Sequence, residues 1–157
     1  RLDLARFDSA TTDRLQAILE RARLDGLVDV KNPFDVTPMA NDEAFAGLVD
    51  EILGDPNVDV LVTGIVQLTQ AMQTLAAGEG HRESIHADES IAQRLPVVAA
   101  KHQTPMVAVI DSGSLFDAMA GVLEAGGLPV FRSADRAVRV LCKWVDVQLA
   151  NRDRRTS

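Results

Sequence analysis

The sequence predicts an α/β protein, with layers of helices on both faces of an open parallel sheet of about five strands. Residues 58–66 read Val-Asp-Val-Leu-Val-Thr-Gly-Ile-Val, and Gly54, Asp55, Pro56 and Asn57 supply turn chemistry just before them. A β-branched apolar run of this length is too short for a buried helix and fits a strand covered on both faces. A second such run, residues 106–110, arrives only after a long, partly helical stretch. The segment before residue 58 has helical periodicity, and alternation of strand, helix and strand defines the α/β class. Residues 58–66 are therefore expected at the centre of the sheet.

The remaining elements follow in order. Leu2 and Leu4 alternate with charged residues up to Phe7, which predicts an edge strand over 1–7. Ser9, Thr11 or Thr12 can cap a helix bearing Leu15, Ile18, Leu19 and Ala22 on one side, closed by Asp25-Gly26. Residues 27–30 form a brief strand running into Lys31-Asn32-Pro33-Phe34-Asp35-Val36-Thr37, where Pro33 keeps Asn32 out of a helix. Asn41 or Asp42 caps the next helix, whose Phe45, Leu48, Val49, Ile52 and Leu53 recur at helical spacing.

Residues 67–103 make the crossover. A helix is expected over 68–77, broken by Gly78-Glu79-Gly80, and the polar piece over 78–84 reads as a surface loop facing a partner. A further helix over 88–101 carries Ile91, Leu95 and Val98, and is kinked or restarted at Pro96. Asp111-Ser112-Gly113-Ser114 turns the second buried strand into a helix with Leu115, Phe116, Met119, Val122 and Leu123 inward, ended by Gly126-Gly127. The last strand covers 128–131. Ser133 then caps a long helix in which Val138, Leu141, Val145 and Leu149 recur, a pattern that stops after Asn151.

A chain of 157 residues, 46% hydrophobic and 25% charged, is one domain with a core of its own. We place that domain at 1–151, with a basic tail at 152–157. No apolar run approaches the roughly 18 residues of a bilayer span, so no membrane segment is expected. A net charge of -7 argues against a nucleic-acid groove. Arg152, Arg154 and Arg155 read as a solvated tail. Cys142 is alone, so no internal disulfide forms, and the expected location is a reducing cytoplasm. Its place in the last helix reads as core, with no local base to make it a nucleophile. The chain opens on Arg1 rather than Met, which reads as a fragment of something longer.

The sequence holds no Gly-x-Gly-x-x-Gly, Walker loop or Gly-x-Ser-x-Gly. His81 and His86 lie near Glu79, Glu83 and Asp88 but lack the spacing of a zinc site and read as a solvated loop. No catalytic residue and no metal site are expected.

Two stretches are more specific than periodicity: Asn32-Pro33-Phe34-Asp35-Val36-Thr37, and Gly127-Leu128-Pro129-Val130-Phe131-Arg132-Ser133-Ala134-Asp135-Arg136-Ala137-Val138. In this order and separation they resemble the last flavodoxin-like domain in the synthetase portion of NDP-forming acyl-CoA synthetases. That is the acetate-CoA ligase (ADP-forming) group, related to succinyl-CoA synthetase. The similarity runs over residues 26–150 and includes the Asp-Pro-Asn-Val-Asp-Val-Leu-Val approach to the central strand.

The resemblance implies a domain of an enzyme that joins a carboxylic acid to coenzyme A with cleavage of a nucleoside triphosphate. In that family a neighbouring ligase domain carries a phosphohistidine, a Rossmann domain binds coenzyme A, and an ATP-grasp module binds the nucleotide. These domains are the implied partners. Coenzyme A, ATP or ADP, and Mg belong to the complete enzyme, and this chain is expected to bind none of them itself. Domains of this type usually open with a Gly-rich strand, turn and helix upstream of the stretch matching Arg1 to Phe7. This sequence departs from the pattern by lacking that opening.

Candidate site residues lie on two loops. Asn32, Pro33 and Asp35 follow a strand's carboxyl end, where open α/β sheets place ligands. They could orient a partner domain or a phosphate-bearing loop, or Asn32 and Asp35 could bond the backbone while Pro33 sets the turn. Ser112 and Gly113 also follow a strand and open a helix, so they could receive an anion or act only as a cap, with Asp111 opposing an anion. Neither His81 nor His86 sits in a segment resembling the family's phosphohistidine. His102 at a helix end suits the dipole, and Trp144 reads as core edge or interface. The leading expectation is a non-catalytic docking domain of the ligase. The alternative is a stand-alone flavodoxin-like binding or regulatory module for a small anion or protein. Two copies could pair through the sheet edge or the last helix.

Overall fold

The computed structural model describes residues 2–67 and 69–156, with side chains for all of these except 153, 155 and 156. Helices α1 (Ser9–Arg21) and α2 (Asp42–Leu53) precede strand β1 (Leu61–Gly64). Then come α3 (Ile91–Ala99), β2 (Met106–Val109), a 3-10 turn (Ser114–Phe116), α4 (Asp117–Ala125), β3 (Val130–Phe131) and α5 (Ala134–Thr156).

The sheet is parallel throughout, in the order β1-β2-β3, with Val62 opposite Val107 and Ala108 opposite Val130. The main core lies on one face, between the sheet and α1 to α4, around Leu19, Leu53, Ile91, Leu95, Ile110 and Leu123. A smaller core of Val107, Val109, Ala137 and Leu141 joins the opposite face to α5. The α/β class and the layering on both faces are as the sequence predicts.

The strand count is smaller: three strands among the described residues, not five. The 58–66 run pairs only over residues 61–64, and it stands at a sheet edge, whereas β2, buried along its whole length, is the middle strand. Apolar composition reports that both faces are covered, and it is silent on how many edges are paired. Residues 2–7 are extended but join no ladder. Asn32 Nδ2 donates to the Ala5 carbonyl (3.0 Å) and Asn57 Nδ2 to that of Arg6 (3.1 Å), so side chains take the place of a neighbouring strand. Residues 27–30 also remain outside the sheet, because the Leu27 and Val28 amides turn back onto the Leu24 carbonyl.

Several element ends move for local reasons. Asp8 caps α1 in place of Ser9, Thr11 or Thr12, accepting from the Ala10 amide at 2.9 Å. Asn41 caps α2 through the Ala44 amide at 2.8 Å. The expected helix over 68–77 is a bent loop; Leu68 itself lies outside the described residues. Polar side chains hold this loop in place of helical bonding: Glu83 accepts from the Thr74 and Leu75 amides, and Gln73 from the Ser84 amide.

Helix α3 begins at Ile91, capped by Ser90, and continues through Pro96. The Pro96 ring lies over Gly126, where a Cβ would come within 2.5 Å of its Cγ, so the absent side chain makes room for the ring. Leu115, expected inward, is 62% exposed, because the 3-10 turn shifts the phase before α4 starts. Helix α5 runs to Thr156, past the expected stop at Asn151 and into the expected tail, of which Ser157 lies outside the described residues. Loss of the apolar pattern does not end a helix when no Gly or Pro follows.

Candidate functional site

Because the three strands are parallel, their carboxyl ends open on one edge of the sheet, where open α/β folds place ligands. Gln67 follows β1, the 111–114 turn follows β2, and Arg132 follows β3 directly. The Ser112 hydroxyl donates to Gln67 Oε1. Arg132 donates through Nη2 to the carbonyls of Ser112 (2.5 Å) and Gly113 (2.9 Å), and it pairs with Asp117 at 3.1 Å. The turn is thus held from both neighbouring strands. Gln67 Nε2 is buried and has no partner among the described residues.

Ser112 is half-buried and Gly113 exposed. Gly113 precedes the 3-10 turn, and no side chain caps it. The expected capping role therefore does not hold for Ser112, whose hydroxyl is used across the sheet. That hydrogen bond orients Ser112 toward the end of β1, so the arrangement positions polar groups at the carboxyl edge of the sheet. Sequence reasoning missed Gln67 and Arg132. Their signal is position, since each lies within three residues of a strand's carboxyl end.

Asn32, Pro33 and Asp35 stand apart from Ser112 and Gly113. All three line a groove of 1530 Å³ bounded by β1, residues 2–7, residues 32–38 and α5; Ser112 and Gly113 do not line it. Asn32 is half-buried and bonds the backbone, donating to the Ala5 carbonyl. Asp35 does likewise, accepting from the Thr37 amide at 3.0 Å. The Asn32-Pro33 peptide is cis, and the Phe34 ring meets Phe7 edge-on at 6.2 Å. The loop's residues therefore anchor one wall of the groove.

Two carboxylates outside these loops are electrostatically perturbed. Burial pushes Asp42 up, partly opposed by hydrogen bonds from the Ile91 and Gln73 amides. For Asp50 burial also acts upward, but hydrogen bonds and charge from Lys101 and His102 outweigh it and hold the carboxyl below its usual value. His102 Nε2 lies 2.5 Å from Asp50 Oδ1, so its partner is a side chain of α2 as well as the end of α3. Cys142 is half-buried on α5, and Trp144 is 43% exposed in the groove. Among the described residues no helix is long and apolar enough to cross a membrane. Among those residues, too, no group of three or more His, Cys, Asp or Glu gathers to hold a metal.

These features define an α/β domain of the flavodoxin-like kind, with a parallel sheet whose carboxyl edge carries the Gln67–Ser112–Arg132 cluster. The crystal structure of PH0766 from Pyrococcus horikoshii OT3 shares this fold, with a TM-score of 0.64 and 22% identity over 84% of this chain. The match covers 27% of the PH0766 chain, so the present sequence spans about a quarter of that protein's length. No protein-family model and no curated protein matches the sequence.

Proposed function

We propose that this chain is a non-catalytic domain of an NDP-forming acyl-CoA ligase, which docks the other domains of that enzyme and helps enclose its active site. One observation carries the reading: the two family-like stretches fall on surfaces suited to docking. Residues 32–37 line the groove beside β1, and residues 127–138 supply β3, Arg132 and the start of α5. Arg132 in turn fixes the loop at the carboxyl edge of the sheet. In the complete enzyme, coenzyme A, the nucleotide with Mg, and the phosphohistidine belong to the partner domains. This chain contributes shape and enclosure.

A mixing assay tests this reading. The chain alone, given a carboxylic acid, coenzyme A and ATP, forms no acyl-CoA. Added to ligase domains carrying the coenzyme A site, the phosphohistidine and the ATP-grasp module but lacking this domain, it raises acyl-CoA formation. Enzyme-like turnover by the chain alone, or no rise in the mixture, contradicts the proposal.

A further inference from the structure

We infer that Arg132 is a positioning residue: by fixing the turn between β2 and α4 it sets the rate of acyl-CoA formation in the complete enzyme, and it leaves the docking of this domain unchanged. The inference rests on the ligase reading and assigns one part of that function, enclosure of the active site, to one side chain.

The main chain of the turn holds itself weakly. Among the described residues Asp111, Ser112 and Gly113 share one backbone–backbone hydrogen bond outside the sheet, from the Phe116 amide to the Gly113 carbonyl at 3.1 Å. Gly113 is exposed and has no side chain to restrict its backbone. The shape of the turn therefore depends on side chains that reach it from elsewhere.

Two do, from the strands on either side of β2. Arg132, the residue after β3, directs Nη2 at the Ser112 carbonyl (2.5 Å) and the Gly113 carbonyl (2.9 Å). Nη2 carries two hydrogens, so each carbonyl takes one, and two successive peptide groups are held in a single orientation. The guanidinium is charged at any pH at which a protein folds, and a charged donor bonds roughly twice as strongly as a neutral one. Asp117, 3.1 Å from the same nitrogen, keeps it at this post. From the other side Gln67 accepts the Ser112 hydroxyl.

The place of the turn gives this brace its consequence. The turn follows the middle strand, at the edge where open α/β sheets present ligand-facing loops. A shift of about 1 Å in a group that borders the chemistry can cost about a hundredfold in rate. Neither Arg132, Ser112 nor Gly113 lines the groove beside β1, so a change at Arg132 leaves residues 32–37 as they are.

The test titrates the full chain into ligase domains that lack it and reads acyl-CoA formation to its plateau. Arg132→Met keeps the apolar stem and removes the donors; Arg132→Gln replaces it if the first variant fails to fold. The plateau should fall about tenfold or more, while the concentration giving half of it stays within about twofold of wild type. Gln67→Met acts on the same turn, so the double variant should lose less than the product of the two single losses. In amide NMR of the chain alone, Arg132→Met should move the Gly113 and Ser114 resonances and leave those of α2 in place. An unmoved turn, an unchanged plateau, a loss that appears only at half-saturation, or losses that multiply fully each overturns the inference, while stimulation by the wild-type chain keeps the ligase reading. A wild-type chain that gives no stimulation overturns both.

Discussion

The Asp42 carboxylate accepts the Ile91 amide at 2.6 Å and so joins the first turn of α2 to the first turn of α3, 49 residues apart. It also accepts the Gln73 amide at 3.1 Å, so one buried side chain holds both the bent crossover loop and the helix that follows. An acid at this point satisfies amides that a helix N-terminus leaves unpaired.

Asp42→Ala should therefore lower stability by about 1–3 kcal/mol in urea unfolding, since it strands buried amides. The pH dependence has a definite sign. The folded pKa of Asp42 is raised, so its titration-linked stability is fully present below the unfolded value of 3.8 and is lost as pH rises through the folded value. The gap between wild type and Asp42→Ala should narrow over that rise.

Asp50 predicts the opposite slope. Its folded pKa is lowered, so its contribution is present above 3.8 and is lost as pH falls through the folded value. Asp50→Asn should lower the melting temperature at neutral pH, and the difference from wild type should close in acid. High salt should shrink it too, because Asp50 and Lys101 are both partly solvated.

Two glycines of α4 and its end should respond in opposite directions to alanine. At Gly126 a Cβ would lie 2.5 and 2.6 Å from Pro96 Cγ and Cβ, so Gly126→Ala should cost about 1–3 kcal/mol through overpacking. At Gly121, inside α4, nothing lies within 4 Å of a Cβ. Gly121→Ala should stabilise by about 0.5–1 kcal/mol. Thermal unfolding of the two variants checks both signs.

The layered α/β architecture was legible because burial on two faces writes itself into a strand as a run of β-branched residues, as at β2. Its edges were not legible: residues 58–66 carry the same composition, yet among the described residues β1 has a neighbour on one side only. Residues 2–7 and 27–30 have strand-like composition, but a ladder needs a partner, and Asn32 and Asn57 bond the carbonyls of Ala5 and Arg6 instead. The end of α5 was missed because apolar spacing reports where a helix is covered, and α5 continues beyond its cover. The loops of the candidate site were found from their place after strands. Their long-range bonds, Gln67 to Ser112 and Arg132 to the Ser112 and Gly113 carbonyls, join residues 45, 20 and 19 positions apart and leave no local trace.

Trp144 offers the most direct test that the groove beside β1 meets another polypeptide. It is the only tryptophan in the sequence, it is 43% exposed, and it lines the groove. Labelled with fluorotryptophan, the chain gives one fluorine resonance, which can be followed while unlabelled ligase domains are added. The account predicts a saturable, stoichiometric shift of that resonance as Trp144 becomes covered. A resonance unmoved at every ratio, in a mixture that makes acyl-CoA, would contradict it.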